Sequence, residues 1–347
     1  MSTPHYLAVV DGAERPFYLR CKETSIDVDL SAPDEALWRA HEEGMHQTQK
    51  KEGGLTTSLL DLKTEIASRI LRSCHLCERK CGVDRLKGDV GRCRVGESRV
   101  ASHFTHWGEE PLLIPSYTIF FSGCPFSCVY CQNWDISQYP AGRYIGPGEL
   151  ARMLDQKRML DQKGMLDQKR MLDQKGMLDQ KIKNINWVGG DPTPNLPYIL
   201  EVLGHCHLPV AQLWNSNMYC SEATMRLLDG VIDLYLTDFK YGNDRCALRL
   251  SDVPNYWRIV TRNHRIAEQQ GDVLIRHLVL PGHLECCTRP VLEWVAAHLK
   301  HPLVNVMGQY RPEWRAHEHE DIARYPLPAE VRGAREIAKE LDLSLVY

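Results

Sequence analysis

The feature that most constrains this chain is a group of three cysteines placed directly after an apolar segment. The stretch from Thr118 to Gln138 reads TIFFSGCPFSCVYCQNWDISQ and spaces Cys124, Cys128 and Cys131 as C-x3-C-x2-C. Three thiolates at this spacing can hold one metal cluster. Because a cubane [4Fe-4S] cluster has four irons, three cysteines leave one iron open to a small molecule. An open coordination position is typical of a catalytic metal site, since structural sites are closed.

Two other arrangements would also account for three cysteines, namely thiols buried in the core and half of a zinc site. Buried thiols have no fixed spacing, and a zinc site needs a fourth ligand. The aromatic residues Tyr130 and Trp134 lie in the same segment and suit a shielded redox site. The spacing therefore favours an iron-sulfur cluster.

The composition excludes several classes of function. A chain of 347 residues is long enough for one large domain with an appendage or for two ordinary domains. A formal net charge of -3 with 25% charged residues indicates no surface for a polyanion, so nucleic acid is not expected as a partner. The first residues have no secretory pattern, and no run approaches the ~18 apolar residues that cross a bilayer. We therefore expect no membrane association and a cytoplasmic location.

A second group of cysteines precedes the first. The segment from Ser73 to Val95 has a C-x2-C-x3-C-x11-C arrangement, and its glycines supply the tight turns that let a short backbone wrap around one metal. Four soft ligands without a vacancy indicate a closed site, structural or electron-relaying, with either zinc or a second iron-sulfur cluster. Its four candidate ligands are Cys74, Cys77, Cys81 and Cys93.

The other six cysteines predict no site, because they are scattered or adjacent without ligand spacing. Cys286 and Cys287 could form a redox pair, but neighbouring thiols rarely reach good disulfide geometry. The remaining four are Cys21, Cys206, Cys220 and Cys246.

From Tyr117 onward, apolar runs alternate with helical segments, which is typical of parallel βα units. Six such units are two short of a full eight-stranded barrel. The predicted strands are Thr118 to Ser122, Ile185 to Gly189, Val210 to Asn215, Ile232 to Asp238, Val273 to Leu280 and Leu303 to Met307. The predicted helices are Asp34 to Glu43, Leu196 to Leu203, Glu222 to Leu228 and Pro290 to Leu299.

Polar residues follow these strands at the end of a parallel barrel where chemistry takes place. The paired glycines Gly189 and Gly190 let backbone approach a ligand closely, although a turn without a ligand is the alternative. Asp238 and Lys240 are two apart and share a face, either to address one ligand or as a rim ion pair. In the fifth strand, alternation directs one of two neighbours, Arg276 and His277, inward.

One segment breaks the alternating pattern. Residues Met153 to Lys181 contain five copies of MLDQK with a six-residue period. A six-residue step turns a helix by about 240°, so the apolar pairs cannot share one buried stripe. We interpret the segment as a tandem expansion inside the first barrel helix. A coiled-coil arm is the alternative, which the absence of heptads disfavours.

Seven separated motifs between Ser73 and Leu343 resemble, in order, those of the radical S-adenosylmethionine (SAM) superfamily, and specifically its pyruvate formate-lyase activating enzyme-like, PflX-type subgroup. The resemblance implies an α/β fold, with a partial (β/α)6 TIM-like barrel and an N-terminal cysteine-rich module. The motifs are CGVDRLKGDVGRC, HFTHWGEEP, TIFFSGC-x3-C-x2-CQNWDIS, NINWVGG, LTDFKY, IRHLVLPG and VMGQYRP.

The resemblance also implies a domain division and a cofactor site. The division is an N-terminal extension (1–72), a four-cysteine module (73–105), a radical SAM core (115–312) with the repeat inserted at 153–181, and a helical tail (313–347). The cluster is assigned to Cys124, Cys128 and Cys131. The candidates for binding SAM are Gly189, Gly190, Asp191, Asn215, Asn217, Asp238, Lys240 and His277.

The function implied by the resemblance is reductive cleavage of SAM to a 5'-deoxyadenosyl radical, which abstracts hydrogen from a substrate. Reductive cleavage needs an electron donor, so a reductant such as a flavodoxin or ferredoxin is an expected partner. Activation of a glycyl-radical enzyme is one candidate reaction, and it would make a protein substrate the second partner. The alternative is a non-catalytic iron-sulfur or zinc protein, such as a redox sensor or assembly protein, which binds metal without cleaving SAM.

Overall fold

A computed structural model describes residues 3–46, 57–139, 141–163 and 181–347 of the chain, with only the backbone described for 157–163. Its strands are β1 Ser25–Ile26, β2 Thr57–Ser58, β3 Val100–His106, β4 Ser116–Phe121, β5 Asn184–Gly189, β6 Ala211–Ser216, β7 Leu234–Asp238, β8 Asp272–Leu278, β9 Leu303–Met307 and β10 Ser344–Leu345. Its helices are α1 Pro4–Val10, α2 Phe17–Glu23, α3 Asp34–Met45, α4 Leu59–Ile70, α5 Trp134–Ser137, α6 Pro147–Lys163, α7 Leu196–His205, α8 Glu222–Leu228, α9 Asp244–Ser251, α10 Tyr256–Gln270, α11 Arg289–His298 and α12 Pro328–Glu340.

The central element is an eight-stranded sheet in the order β10-β9-β8-β7-β6-β5-β4-β3. Strands β4 to β9 are consecutive and parallel, and the short β10 continues the parallel edge. At the other edge β3 is antiparallel to β4. Parallel strands need crossover connections, and helices between successive strands supply them. The predicted α/β fold with six parallel barrel strands is therefore confirmed.

The six predicted strands agree with the observed ones to within two residues at each end. The apolar runs of β4 to β7 are buried on both faces, which makes them easy to recognise in the sequence. In contrast, β3 alternates between buried or half-buried and exposed residues at the sheet edge, and the sequence analysis missed it. Since β3 belongs to the sheet, the predicted module boundary at residue 105 cuts through a strand of the barrel.

The N-terminal extension closes the amino-terminal end of the parallel strands. The backbone N–H of Tyr6 in α1 donates to Asp272 Oδ2 at the start of β8 (2.6 Å), and the Tyr6 hydroxyl accepts from Asn184 Nδ2 at the start of β5 (2.9 Å). His5 Nε2 lies 2.8 Å from Asp233 Oδ1, just before β7. Tyr6 and Val9 also join a small buried cluster with apolar residues of β6, β7 and β8. The extension thus contributes packing at the end of the barrel opposite the strand ends expected to carry chemistry.

No helix in the described ranges is long and apolar enough to cross a membrane.

The repeat begins within α6, and residues 164–180 lie outside the described residues. In the first copy, Leu154 is fully buried and Met153 packs against the main core. Asp155 Oδ1 accepts a hydrogen bond from the backbone N–H of His207 at 3.0 Å. One copy of MLDQK therefore has defined contacts, and the interpretation of the others as a tandem expansion stays a prediction.

Deleting residues 153–176 should leave the thermal midpoint and metal content unchanged. The deletion places Met177–Lys181 directly after Arg152, so the retained copy takes the position of the first one. Thermal unfolding monitored by circular dichroism measures the effect. The contrasting variant is Leu154→Ala in the full-length chain, which should lose ~2–5 kcal/mol because it empties a buried leucine site. A deletion as damaging as Leu154→Ala would show that the repeat is a structural element.

Candidate active site

A cavity of about 400 Å³ lies at the carboxyl ends of the parallel strands. It is of the size and placement expected for a cofactor or substrate site in such a fold. Ten of the residues predicted for cluster or SAM binding line it: Cys124, Cys128, Cys131, Gly189, Gly190, Asp191, Asn215, Asn217, Asp238 and Lys240.

Each of the three cysteine sulfurs in the cavity has a hydrogen-bond partner. The Asn217 side-chain amide and the backbone N–H of Phe126 donate to Cys124 Sγ (3.7 and 3.4 Å). Hydroxyl groups contact the other two sulfurs, at 2.9 Å from Ser251 to Cys128 and 3.2 Å between Ser137 and Cys131. Hydrogen bonds to cluster sulfurs tune the potential of iron-sulfur centres, so these contacts suit a cluster.

Burial keeps these three thiols neutral unless a cation binds. It raises the pKa of Cys128 to about 12, with the nearby Cys131 adding to the effect. Burial also raises the pKa of Cys124 and of Cys131. A metal ligand must be a thiolate, and a cluster of iron cations offsets the cost of forming one there. The residues present therefore fit a [4Fe-4S] cluster.

The loop that carries the cysteines is fixed from both sides by backbone hydrogen bonds. On one side, Ser127 N–H donates to Ser251 O and Val129 N–H donates to Leu250 O, both at 2.9 Å. On the other side, Gly123 N–H donates to Ile136 O at 2.8 Å. The loop is thus held by the last turn of α9 and by α5 rather than by the barrel strands alone.

The two glycines after β5 make close contacts with the protein's own backbone. Gly189 has φ of +137°, and a Cβ there would lie 2.2 Å from Phe121 N. A Cβ on Gly190 would lie 2.2 Å from Gly123 O, beside the first cysteine. Contacts this short are impossible for any other residue. The glycine pair therefore lets β5 and the cysteine loop pack together, in addition to lining the cavity.

The carboxylate of Asp191 joins the ends of β5 and β6. It accepts hydrogen bonds from Thr193 N–H (2.9 Å), Ser216 Oγ (3.0 Å) and Asn217 N–H (2.9 Å). Burial raises the pKa of Asp191, and these donors oppose the shift by stabilising the charged form. Three protein donors already occupy the carboxylate. Asp191 is therefore placed to orient Asn217, which contacts Cys124.

Asp238 is the last residue of β7 and Lys240 lies two residues beyond it, and the two form an ion pair in the cavity, one of the two outcomes expected from their spacing. Burial lowers the pKa of Lys240, but the negative charge of Asp238 and its hydrogen bond outweigh this effect and raise the pKa above its usual value. Lys240 therefore keeps its positive charge beside the cysteine sulfurs.

His277 does not line the cavity, so the cofactor-binding role predicted for it does not fit its position. Its Nδ1 lies 2.7 Å from Phe239 O and its Nε2 lies 2.9 Å from Thr288 Oγ1. Burial lowers the pKa of His277 to about 4, so the ring stays neutral. Strand alternation directs its neighbour Arg276 into the cavity instead.

The HFTHWGEEP motif contributes two acidic residues, Glu109 and Glu110, that were not predicted to belong to the site. Arg276 Nε donates to Glu110 Oε1 at 2.9 Å, and the Arg276 guanidinium also pairs with Glu109. Asn305 Nδ2 on β9 donates to Glu110 Oε1 (2.7 Å), and Asn186 Nδ2 on β5 donates to Glu109 Oε1 (3.2 Å). The segment between β3 and β4 therefore fills the space between β5 and β9. Two adjacent acidic residues after a glycine were the available signal.

The four-cysteine module lies directly against the cysteine loop. Cys124 N–H donates to Cys93 O at 3.1 Å, and Cys77 forms a backbone bridge with Cys220 after β6. Burial raises the pKa of both Cys77 and Cys93. Cys81 is exposed, whereas Cys74, Cys77 and Cys93 are buried. The module therefore extends from the surface to the backbone of the cavity cysteines.

A further cysteine group was missed because its members lie far apart in the sequence. Three of the scattered cysteines, for which no site was predicted, lie next to His283: Cys246, Cys286 and Cys287. Within the described ranges, this is the one set of three or more His, Cys, Asp or Glu residues whose ligand atoms all lie within 4.8 Å of one another.

Replacing Gly190 by alanine should prevent cluster binding. The new Cβ would force Gly123 and Cys124 away from β5, because backbone rather than a flexible side chain is in contact. Iron content after anaerobic reconstitution is the measurement. Gly204→Ala is the matched control, since a Cβ there meets nothing within 4 Å. Equal iron content in both variants would contradict the contact described.

Comparison with known proteins identifies the family. The model of the radical SAM superfamily matches residues 118–295. The uncharacterized protein MJ0674 of Methanocaldococcus jannaschii is 44% identical over 297 residues, covering 84% of this chain and 81% of that protein. The uncharacterized protein MJ0808 of the same organism is 32% identical over 84 residues, covering 19% of this chain and 25% of that protein.

Solved structures of SuiB from Streptococcus suis are also similar. SuiB bound to S-adenosylmethionine matches with a TM-score of 0.44 and 12% identity, covering 64% of this chain and 47% of that one. SuiB bound to the precursor peptide SuiA matches with a TM-score of 0.41 and 14% identity, covering 64% and 46%. The chain thus spans less than half the length of SuiB. On the match of the family model to more than half of its length, the chain belongs to the radical SAM superfamily, whose members are enzymes that use a [4Fe-4S] cluster and SAM.

Proposed function

We propose that Cys124, Cys128 and Cys131 hold the [4Fe-4S] cluster and that SAM binds beside it in the same cavity. The observation that carries the proposal is the convergence of three thiols on a cavity that polar strand ends also line. Cys124 and Cys128 are buried and Cys131 is half-buried, and each sulfur has a hydrogen-bond partner. When bound, the cluster supplies one electron to the SAM sulfonium, which yields methionine and a 5'-deoxyadenosyl radical that abstracts hydrogen from the substrate.

The protein's own groups would bind and orient the two cofactors. The backbone of Gly189 and Gly190 and the side chain of Asn215 line the cavity from β5 and β6. The paired Asp238 and Lys240 offer one negative and one positive group, which suits the amino and carboxylate ends of an amino acid such as the methionyl part of SAM. We assign SAM binding to these groups and no longer include His277. Asp191 and Asn217, also predicted to bind SAM, would instead support the site, since Asp191 accepts from Asn217 and Asn217 donates to Cys124 Sγ.

The far side of the cavity is suited to the substrate. Strands β8 and β9 contribute Arg276, Leu278 and Met307, and Gln309 follows β9. These strands lie beyond β7 in the sheet order, on the opposite side of the cavity from β4 and the cysteine loop that follows it. This wall combines apolar surface with a charged group held in an ion-paired network. It would exclude water while leaving polar groups to orient a substrate.

We further infer that the chain belongs to the PflX-type subgroup and activates a glycyl-radical enzyme, so that the substrate is a polypeptide. The support for this inference is the order of the seven motifs between Ser73 and Leu343. We also propose the domain division given above, with the cysteine module ending before Val100 because β3 belongs to the sheet. The tail would then include β10, which pairs with β9.

We propose that the four-cysteine module holds a second iron-sulfur cluster that passes electrons inward from a reductant such as a flavodoxin or ferredoxin. Its exposed Cys81 and the contact between Cys93 and Cys124 support this route. Its thiols are not part of a group with ligand atoms within 4.8 Å of one another. A single zinc ion needs such closeness, whereas a cluster of several irons holds its ligands farther apart.

Anaerobically reconstituted protein given dithionite and SAM should release 5'-deoxyadenosine and methionine. Cys128→Ala should abolish the release, because it removes one of the three cluster ligands. Cys21→Ala is the matched control, since Cys21 is equally buried but lies outside the cavity. Product quantified by chromatography decides the matter. Bound iron without any SAM cleavage in the unmodified chain would instead support the redox-sensor alternative.

Replacing Cys74, Cys77 and Cys81 together by serine should remove one cluster while the cavity cluster keeps its EPR signal. The Cys93 carbonyl that supports Cys124 belongs to the backbone and remains. SAM cleavage should persist with dithionite, a small reductant, and should slow strongly with a flavodoxin. Loss of zinc instead of iron would overturn the relay proposal, and loss of both clusters would show that the two ligand sets are wrongly divided.

A further inference from the structure

Four side chains outside the cavity bring their ligand atoms together. The sulfur of Cys246 lies 3.7 Å from His283 Nδ1 and 4.0 Å from the sulfur of Cys286. The sulfurs of Cys286 and Cys287 are 3.9 Å apart, and they lie 3.2 and 3.6 Å from His283 Nδ1. All four ligand atoms are within 4.8 Å of one another.

These distances match the edges of a zinc tetrahedron. With Zn–S bonds of about 2.3 Å and Zn–N bonds of about 2.0 Å, adjacent sulfurs lie about 3.8 Å apart and sulfur lies about 3.5 Å from nitrogen. Disulfide bonding would bring two sulfurs to about 2.0 Å, and packing of unrelated thiols requires no common centre. Three sulfurs and one imidazole nitrogen form one of the usual ligand sets of structural zinc.

Three of the four side chains are buried and Cys286 is half-buried, so most of the group is shielded from solvent. Cys287 is 1% exposed, and Cys246 and His283 are each 4% exposed. Burial raises the pKa of Cys286 and of Cys287, so the free thiols stay protonated. A divalent cation would displace these protons and compensate the buried thiolates.

The imidazole of His283 is already oriented as a metal ligand. Its Nε2 lies 2.9 Å from Asp321 Oδ2, and Arg249 pairs with the same carboxylate. A proton on Nε2 that is donated to Asp321 leaves the lone pair on Nδ1, which faces the three sulfurs. Carboxylates hold metal-binding histidines in this way in many zinc sites.

The backbone also holds the ligands in place. Cys246 lies in the first turn of α9, where its N–H donates to the capping Asn243 Oδ1 at 2.8 Å. The Asn243 amide in turn donates to Cys286 O at 2.7 Å, in a widened helical turn at Leu284–Thr288. A Cβ on Gly242 would lie 2.7 Å from the same carbonyl. Two distant segments are thus packed closely at the sulfurs.

We propose that Cys246, His283, Cys286 and Cys287 bind one zinc ion in a closed, structural site. Binding would release three thiol protons and involve no change in oxidation state. The site would join α9 to the turn before α11. Because Ser251 at the end of α9 donates to Cys128 Sγ, the zinc site would also position the helix that supports the cysteine loop.

Metal analysis of the purified full-length chain tests the proposal. Cys246→Ser combined with Cys286→Ser should lower the zinc content of the purified chain by one ion per chain. Cys21→Ser combined with Cys206→Ser is the control, since it removes two buried cysteines outside the group. Equal zinc in both double variants, or loss of iron instead of zinc, would overturn the proposal.

A milder variant decides the case if the double variant fails to fold. The Asp321 side chain is 38% exposed, so Asp321→Asn should preserve the fold while weakening the orientation of His283. Zinc transfer to a chromogenic chelator should then be about 10–100-fold faster. Glu318→Gln changes another surface carboxylate, one paired with Arg315, and should leave the transfer rate as it is. An unchanged rate in Asp321→Asn would contradict zinc binding by His283.

Discussion

The site depends on three thiols that the fold brings together at one cavity, two of them buried and the third, Cys131, half-buried. A buried thiol resists ionisation, and burial raises the pKa of Cys124, Cys128 and Cys131 alike. The chain nevertheless holds the three sulfurs at one cavity and supplies each with a hydrogen-bond partner. Such an arrangement is costly without a cation and favourable with one. The packing of β5 on the cysteine loop, and of α9 beside it, follows from the need to fix that loop.

Two further cysteine groups lie next to this loop, and each contacts it differently. The four-cysteine module reaches it through the backbone, at the hydrogen bond between Cys93 and Cys124. The Cys246 group reaches it through α9, whose last residue, Ser251, contacts Cys128. The backbone contact of the four-cysteine module, which reaches the surface, suits the entry of electrons. The helix α9, held at one end by the Cys246 group and at the other by the cysteine loop, suits a rigid support for that loop. Three metal centres with separate roles would then serve one cavity.

The fold and part of the site were predictable because their signals are local. The strands of the barrel are short apolar runs between helices, and the cavity cysteines lie within eight residues of one another. The roles of His277 and Arg276 were not predictable, since alternation fixes only that neighbours point to opposite faces and the sequence does not say which face lines the cavity. The grouping of Cys246, Cys286 and Cys287 with His283 could not be predicted from the sequence for a related reason. Its ligands come from α9 and the turn before α11, and only the fold brings them together.

The most direct test of the central claim is the EPR spectrum of the reduced cavity cluster before and after SAM is added. The variant with serine at Cys74, Cys77 and Cys81 gives the cleanest signal, because the module then contributes no iron. If SAM binds the open iron beside Cys124, Cys128 and Cys131, its addition should change the g values of the signal. A spectrum that SAM leaves unchanged, in protein shown to contain the cluster, would contradict the account.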